Sequence, residues 1–146
     1  MKRFLPPFID GTPAVGLLIL RLVAGAAMSL HGAPKIKQPF GWMGAESHVP
    51  GFLQALAAVS EFGGGLALLV GLLTPLACLA IMSTMFVATW STIKSGGVFV
   101  SNTGAKSYEL PLLYFVVALL ILLCGPGKLS LDALMFGAKK NRFGRR

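Results

Sequence analysis

The chain has 146 residues, 55% hydrophobic and only 12% charged, and a mean hydropathy of +0.75, which excludes an ordinary soluble domain. Its net charge of +8 would suit nucleic acid, but no basic face interleaved with aromatics exists, so a nucleic-acid partner is not expected. Cys78 and Cys124 lie near the ends of apolar runs without C-x-x-C spacing, which excludes thioredoxin-like and zinc chemistry and leaves them as packing residues.

The apolar runs are joined by short connections, so residues 1–146 read as one transmembrane domain. The opening MKRF resembles the start of a signal peptide, but Pro6, Pro7 and Asp10 interrupt it, and no cleavage is expected. A first span is predicted over 13–32, with Pro13 suited to a first helical turn. Arg21, Gly25, Met28 and Gly32 share one stripe of it, which turns Arg21 inward against a close neighbour. Residues 31–52, rich in Pro and Gly and carrying Trp42, read as a long loop with an interfacial aromatic.

The second span, 53–73, places Gln54, Ala57, Ala58, Glu61, Gly64 and Gly65 on one polar and small face. Gly63, Gly64 and Gly65 lack the lysine and hydroxyl of a phosphate loop and read as helix contacts. Thr74 and Pro75 make a tight return into a third span, 75–93. A polar loop over 94–107 leads to a fourth span, 108–124, with Pro111 in its first turn. Gly125, Pro126 and Gly127 end it, and 125–146 reads as a cytoplasmic amphipathic and basic tail held at the lipid surface. The fold class expected is an all-α, antiparallel up-down four-helix membrane bundle.

The two terminal regions carry eight lysines and arginines and the two long loops four, so the positive-inside rule places both termini in the cytoplasm. A charge at helix-centre depth costs about 2.5 to 3.5 kcal/mol, so Arg21 and Glu61 each need compensation. By rise per residue each lies about 12 Å from its nearer boundary, leaving about 6 Å of height between them and making a salt bridge feasible. His31, Lys35, Lys94, Tyr108 and Glu109 gather at the outer end above Glu61, a set able to pass protons to a quinone entering between helices. Bland readings stand beside these: the pair fixes helix register, Glu109 answers a helix dipole, and His31 faces headgroups. His31 and His48 have no metal-ligand spacing, so no metal is expected.

Four segments, LILRLVAGAAMSLHGAPK from 18 to 35, SEFGGGLALLVGLLTP from 60 to 75, YELPLL from 108 to 113 and GPGKLSLDAL from 125 to 134, together resemble the DoxX family of bacterial four-helix membrane proteins. The resemblance covers about 17–134 and implies a multi-pass protein of the cytoplasmic (inner) membrane. It also implies a quinone-linked or redox-associated role, since relatives include the membrane subunit of thiosulfate:quinone oxidoreductase. Matching by position, the family's arginine is Arg21, its His-Gly is His31 and Gly32, and its two glutamates are Glu61 and Glu109. Many relatives carry a histidine at the end of the third helix, where this chain has Ile93 and Lys94.

The function expected is a subunit of a quinone-linked oxidoreductase system. Arg21 would anchor Glu61, His31 and Glu109 would exchange protons or hold the substrate, and Lys35, Lys94 and Tyr108 would contact it. No haem, iron-sulfur or flavin motif is present, so no covalently bound cofactor is expected, and an electron-transfer cofactor would reside in another protein or be a quinone itself. The alternative is a non-enzymatic scaffold that recruits soluble redox or detoxification proteins through its basic tail. A redox partner subunit and a homo-oligomer are open partners beside membrane lipid. A transporter is disfavoured by the absence of internal repeats.

Overall fold

A computed structural model describes residues 8–137. Five helices follow in order: α1 (Thr12–Lys37), α2 (Gly51–Val70), α3 (Thr74–Lys94), α4 (Glu109–Cys124) and the short α5 (Leu131–Phe136). Among the described residues there is no strand, only an isolated bridge between Val98 and Ser107. Three helices are long and apolar enough to cross a membrane, and α4 is a shorter apolar one.

Prolines sit in the first turns of α1 and α3, where their missing N–H would be unbonded in any case. The first helix outruns its predicted end by five residues, from 32 to Lys37. Pro34 lies inside its last turn on the exposed side, so it removes one terminal hydrogen bond without stopping the helix. Lys35 is thereby a helical residue and not a loop residue, which decides the chemistry described below.

The helices pack in sequence, α1 on α2, α2 on α3 and α3 on α4, and the contact of α4 back onto α1 is the sparsest of these neighbouring pairs. Small residues set the α1–α2 contact: a Cβ on Gly25 would lie 2.7 Å from the Gly65 carbonyl oxygen. Gly32 is pressed in the same way against the Phe62 backbone. The core joins Met28, Leu68, Ala77, Cys78, Ile81, Met85, Ala118 and Ile121. Outward leucines and valines such as Leu30, Leu56, Leu76 and Leu123 remain exposed, as lipid-facing positions should.

The sixteen residues of α4 span only about 24 Å, short of the roughly 30 Å hydrocarbon core. Gly125, Pro126 and Gly127 continue the crossing as buried, non-helical backbone. Such backbone is tolerated at membrane depth only when its polar groups find internal partners. The Ser130 hydroxyl donates to Gly127 O at 2.7 Å, and Arg21 serves Pro126 and the residues around it. Its guanidinium donates from Nη1 to the Pro126 and Leu129 carbonyls at 2.6 and 3.0 Å, from Nε to Leu68 O at 3.0 Å and from Nη2 to Leu69 O at 3.3 Å.

The same end holds Asp132, 1% exposed, whose two carboxylate oxygens accept from the Leu73 and Thr74 amides at 2.8 Å each. It caps α3 from a different helix, and its own amide donates to Gly71 O at 2.8 Å. Gly71 and Leu73 both have positive φ, 66° and 48°, which reverses the chain within the tight α2–α3 turn. A side chain at Gly71 would collide with the Arg21 guanidinium and with Ser130. Asp10 pairs with Lys128 across the surface, and Lys128 N donates to Ile9 O at 3.0 Å. The segments around Asp10 and Lys128 therefore meet at one end of the bundle, called here the terminal end; the long loops form the opposite, loop end.

Candidate functional site

Lys35 and Glu61 form the site's centre. The Lys35 ammonium donates to both carboxylate oxygens of Glu61, at 2.7 and 2.6 Å. The Glu61 side chain is 3% exposed and that of Lys35 24%. The contact follows from helix geometry: Lys35 extends the stripe of Arg21, Gly25, Met28 and Gly32 by three residues, and Gly32 brings α1 onto the Phe62 backbone beside Glu61.

The expected salt bridge between Arg21 and Glu61 is not formed. Arg21 and Lys35 stand fourteen residues apart on one helix, about 21 Å along its axis, so Glu61 beside Lys35 is out of reach of Arg21. Arg21 satisfies broken backbone, and a nearer cation on the same stripe serves Glu61.

Loop 38–50 folds over this pair. The Trp42 ring lies 4.5 Å from the Lys35 nitrogen, a cation–π contact, and its indole N–H donates to Gln54 O at 2.9 Å. His31, one turn before Lys35 on the same face of α1, meets the Tyr114 ring of α4 edge-on, with 6.1 Å between ring centres. An ammonium has three N–H donors; two of Lys35's go to Glu61, and one is left for an oxygen acceptor. The arrangement therefore offers a carboxylate able to take or give a proton, a cationic donor, an indole face and an imidazole.

The remaining candidates lie on the α3–α4 connection. Lys94 sits over the Trp90 ring at 5.2 Å, and Tyr108 lies against Phe99 with ring centres 5.5 Å apart. Glu109 is exposed in the first turn of α4, its amide donating to the Ser107 hydroxyl at 3.2 Å. Among the described residues the ion pairs are Lys35–Glu61 and Asp10–Lys128, so neither Lys94 nor Glu109 joins the centre through a salt bridge. The sequence reading missed Lys35 as the partner of Glu61, Gln54 as the residue holding Trp42, and Asp132 as the cap of α3. At the terminal end the Lys128 ammonium, then the Gly11 amide, hold the exposed Asp10 carboxyl below the ordinary carboxylate range. The basic residues 139–146, on which the scaffold alternative rests, lie outside the described residues.

The DoxX family model matches residues 16–94, a stretch that contains Arg21, His31, Lys35 and Glu61. The chain belongs to the DoxX family. This DoxX chain is 32% identical over 130 residues to the inner membrane protein YqjF of Escherichia coli (strain K12), covering 83% of itself and 92% of that protein. It is 29% identical over 133 residues to a Bacillus subtilis (strain 168) protein named "Putative oxidoreductase CatD", with 87% and 92% covered. An uncharacterised Haemophilus influenzae protein is 38% identical over 68 residues, 47% of this chain and 43% of that one. No solved structure matches. Family, apolar helices and the first relative together make this DoxX chain a multi-pass inner membrane protein.

Proposed function

We propose that this protein is the membrane subunit of a quinone-linked oxidoreductase system and that it binds a quinone, or a similarly small redox molecule, at Lys35 and Glu61. One observation carries the reading: a carboxylate 3% exposed, held through both oxygens by a single lysine beneath a tryptophan ring, at the end of a lipid-embedded bundle. Buried charge of this kind inside a membrane is costly and marks functional positions. The name of the Bacillus subtilis relative agrees with the reaction class.

In this reading the free N–H of Lys35 donates to a ring oxygen of the bound molecule, and Glu61 holds or releases the proton that accompanies its reduction or oxidation. His31 and Tyr114 line the approach, and Trp42 excludes water from the pair. Electrons reach the quinone from a partner protein, because the chain has no electron-carrying motif of its own. In this reading the loop end, and with it the site, faces the outer side of the membrane, which the excess of lysine and arginine in the terminal regions supports.

The test is quinone extraction from protein purified gently out of its own membranes. Wild-type protein should carry quinone, and Glu61→Gln, which keeps an oxygen acceptor for Lys35, should lower its content about tenfold while the protein remains folded. Wild-type protein that carries none, or a Glu61→Gln variant that keeps it, would overturn the reading. Co-purified soluble redox proteins without quinone would favour the scaffold instead.

A further inference from the structure

The Lys35–Glu61 pair is covered very differently on its two open sides. Toward the loop end, Gln54, 4% exposed, ties down both arms of loop 38–50. Its side-chain oxygen accepts from the Met43 amide at 3.1 Å and its side-chain nitrogen donates to Val49 O at 2.9 Å. Its main-chain carbonyl accepts the Trp42 indole N–H at 2.9 Å. Three bonds to one buried residue make the loop a fixed cap, because opening it would leave a buried amide unpaired.

Toward the lipid, the covering is thin. The helices α1 and α4 approach each other least among neighbours in the bundle. They are fastened at the terminal end, where Arg21 holds Pro126 and Leu129 and Leu17 lies against Gly127. At the level of Glu61 they meet through His31 and Tyr114, two rings in edge contact at 77°. Side chains of this kind change rotamer without breaking any backbone hydrogen bond. Past His31, the next inward residue on that face of α1 is Lys35 itself.

From this asymmetry we infer that the ligand of the Lys35–Glu61 site is a membrane-dissolved molecule that enters sideways between α1 and α4, past His31 and Tyr114, and not an aqueous ion admitted through loop 38–50. The inference rests on the reading of this pair as a binding site and adds the class and route of what it binds. The class is a flat, largely apolar molecule bearing a carbonyl or hydroxyl oxygen for Lys35. A hydrated anion is disfavoured, since the lysine charge is already neutralised by Glu61, whose own side chain is only 3% exposed.

Two carbodiimides test the route on full-length protein in lipid nanodiscs, one lipid-soluble (dicyclohexylcarbodiimide) and one water-soluble. Either activates the Glu61 carboxyl as an O-acylisourea, which the Lys35 amine attacks to give an amide and a free urea, a net loss of one water from the protein. Peptide mass spectrometry reads that cross-link. The lipid-soluble reagent should react about tenfold faster than the aqueous one. Bridging His31→Cys to Tyr114→Cys with a short reducible linker, in a Cys124→Ser background, should remove that advantage, and reduction should restore it. Gln54→Ala should accelerate only the aqueous reagent. Equal or faster aqueous reaction in the wild type, indifference to the bridge, or no reaction with either reagent would overturn the inference. The probes contain no quinone, so a protein that reacts as expected yet carries no quinone refutes the proposed ligand and leaves the lateral route standing.

Discussion

Arg21 at the terminal end and Glu61 at the loop end are both buried, 1% and 3% exposed, yet they are compensated in opposite ways. Arg21 sends four hydrogen bonds to backbone carbonyls from two separate segments, so its charge is spread over fixed dipoles. Glu61 has one hydrogen-bonding side-chain partner among the described residues, itself 24% exposed and lying over a tryptophan ring. A guanidinium locked by backbone can hold a fold together but has little left to offer a ligand. A carboxylate held by one flexible lysine can exchange that partner, which is what a working site requires.

Breaking the terminal end should have the largest effect. Arg21→Leu removes a hydrogen bond from four carbonyls, of which Leu68 O keeps the Gly71 amide, and should cost about 3–5 kcal/mol, read as lost thermal stability in detergent and loss of folded protein. Arg21→Lys should restore little, because an ammonium lacks the forked donors that reach both segments. Next in size is Asp132→Asn, which keeps one acceptor oxygen where two amides need one each and should cost about 1–3 kcal/mol in the same melts.

At the loop end the contrast becomes non-additive. Lys35→Met alone strands a buried carboxylate, and Glu61→Leu alone strands a half-buried ammonium. The double variant should melt within about 1 kcal/mol of wild type, while quinone content stays lost. A double variant as unstable as Arg21→Leu would erase the distinction between the two ends.

The smallest effect belongs to the surface pair. Because the Lys128 ammonium lowers the folded-state pKa of Asp10, this pair's contribution is present above the unfolded pKa. It fades as pH falls through the depressed folded value, below about pH 4. Asp10→Asn should therefore alter thermal melting slightly near neutrality, and the difference should vanish in acid.

The bundle was legible because composition, apolar runs and proline positions all point the same way. The small-residue seam between α1 and α2 was equally legible from Gly25, Gly32 and Gly65. The partner of Glu61 was not, because Pro34 and the glycines around it suggested a helix end at residue 32. Extending the stripe of Arg21, Gly25, Met28 and Gly32 by one more step of three would have reached Lys35. Asp132 was hidden for a different reason: its partners are backbone amides 58 and 59 residues earlier, and backbone groups leave no mark in a sequence. Gln54 was recognised as a polar face residue, but its grip on Trp42, Met43 and Val49 depends on how a loop closes back on its own helix.

The reach of Arg21 and Asp132 along the chain also bears on biogenesis. The carbonyls of Pro126 and Leu129 lie 105 and 108 positions after the arginine that binds them, and the cap of α3 is translated well after α3 itself. While the ribosome is still emitting the fourth span, the first three therefore sit in the bilayer with a half-coordinated arginine and an open helix start. Both are completed only when the segment around Pro126, Leu129 and Asp132 docks. A chain cut short at residue 124 lacks two of the four Arg21 acceptors and the carboxylate that caps α3, and should therefore melt well below the full-length protein in detergent.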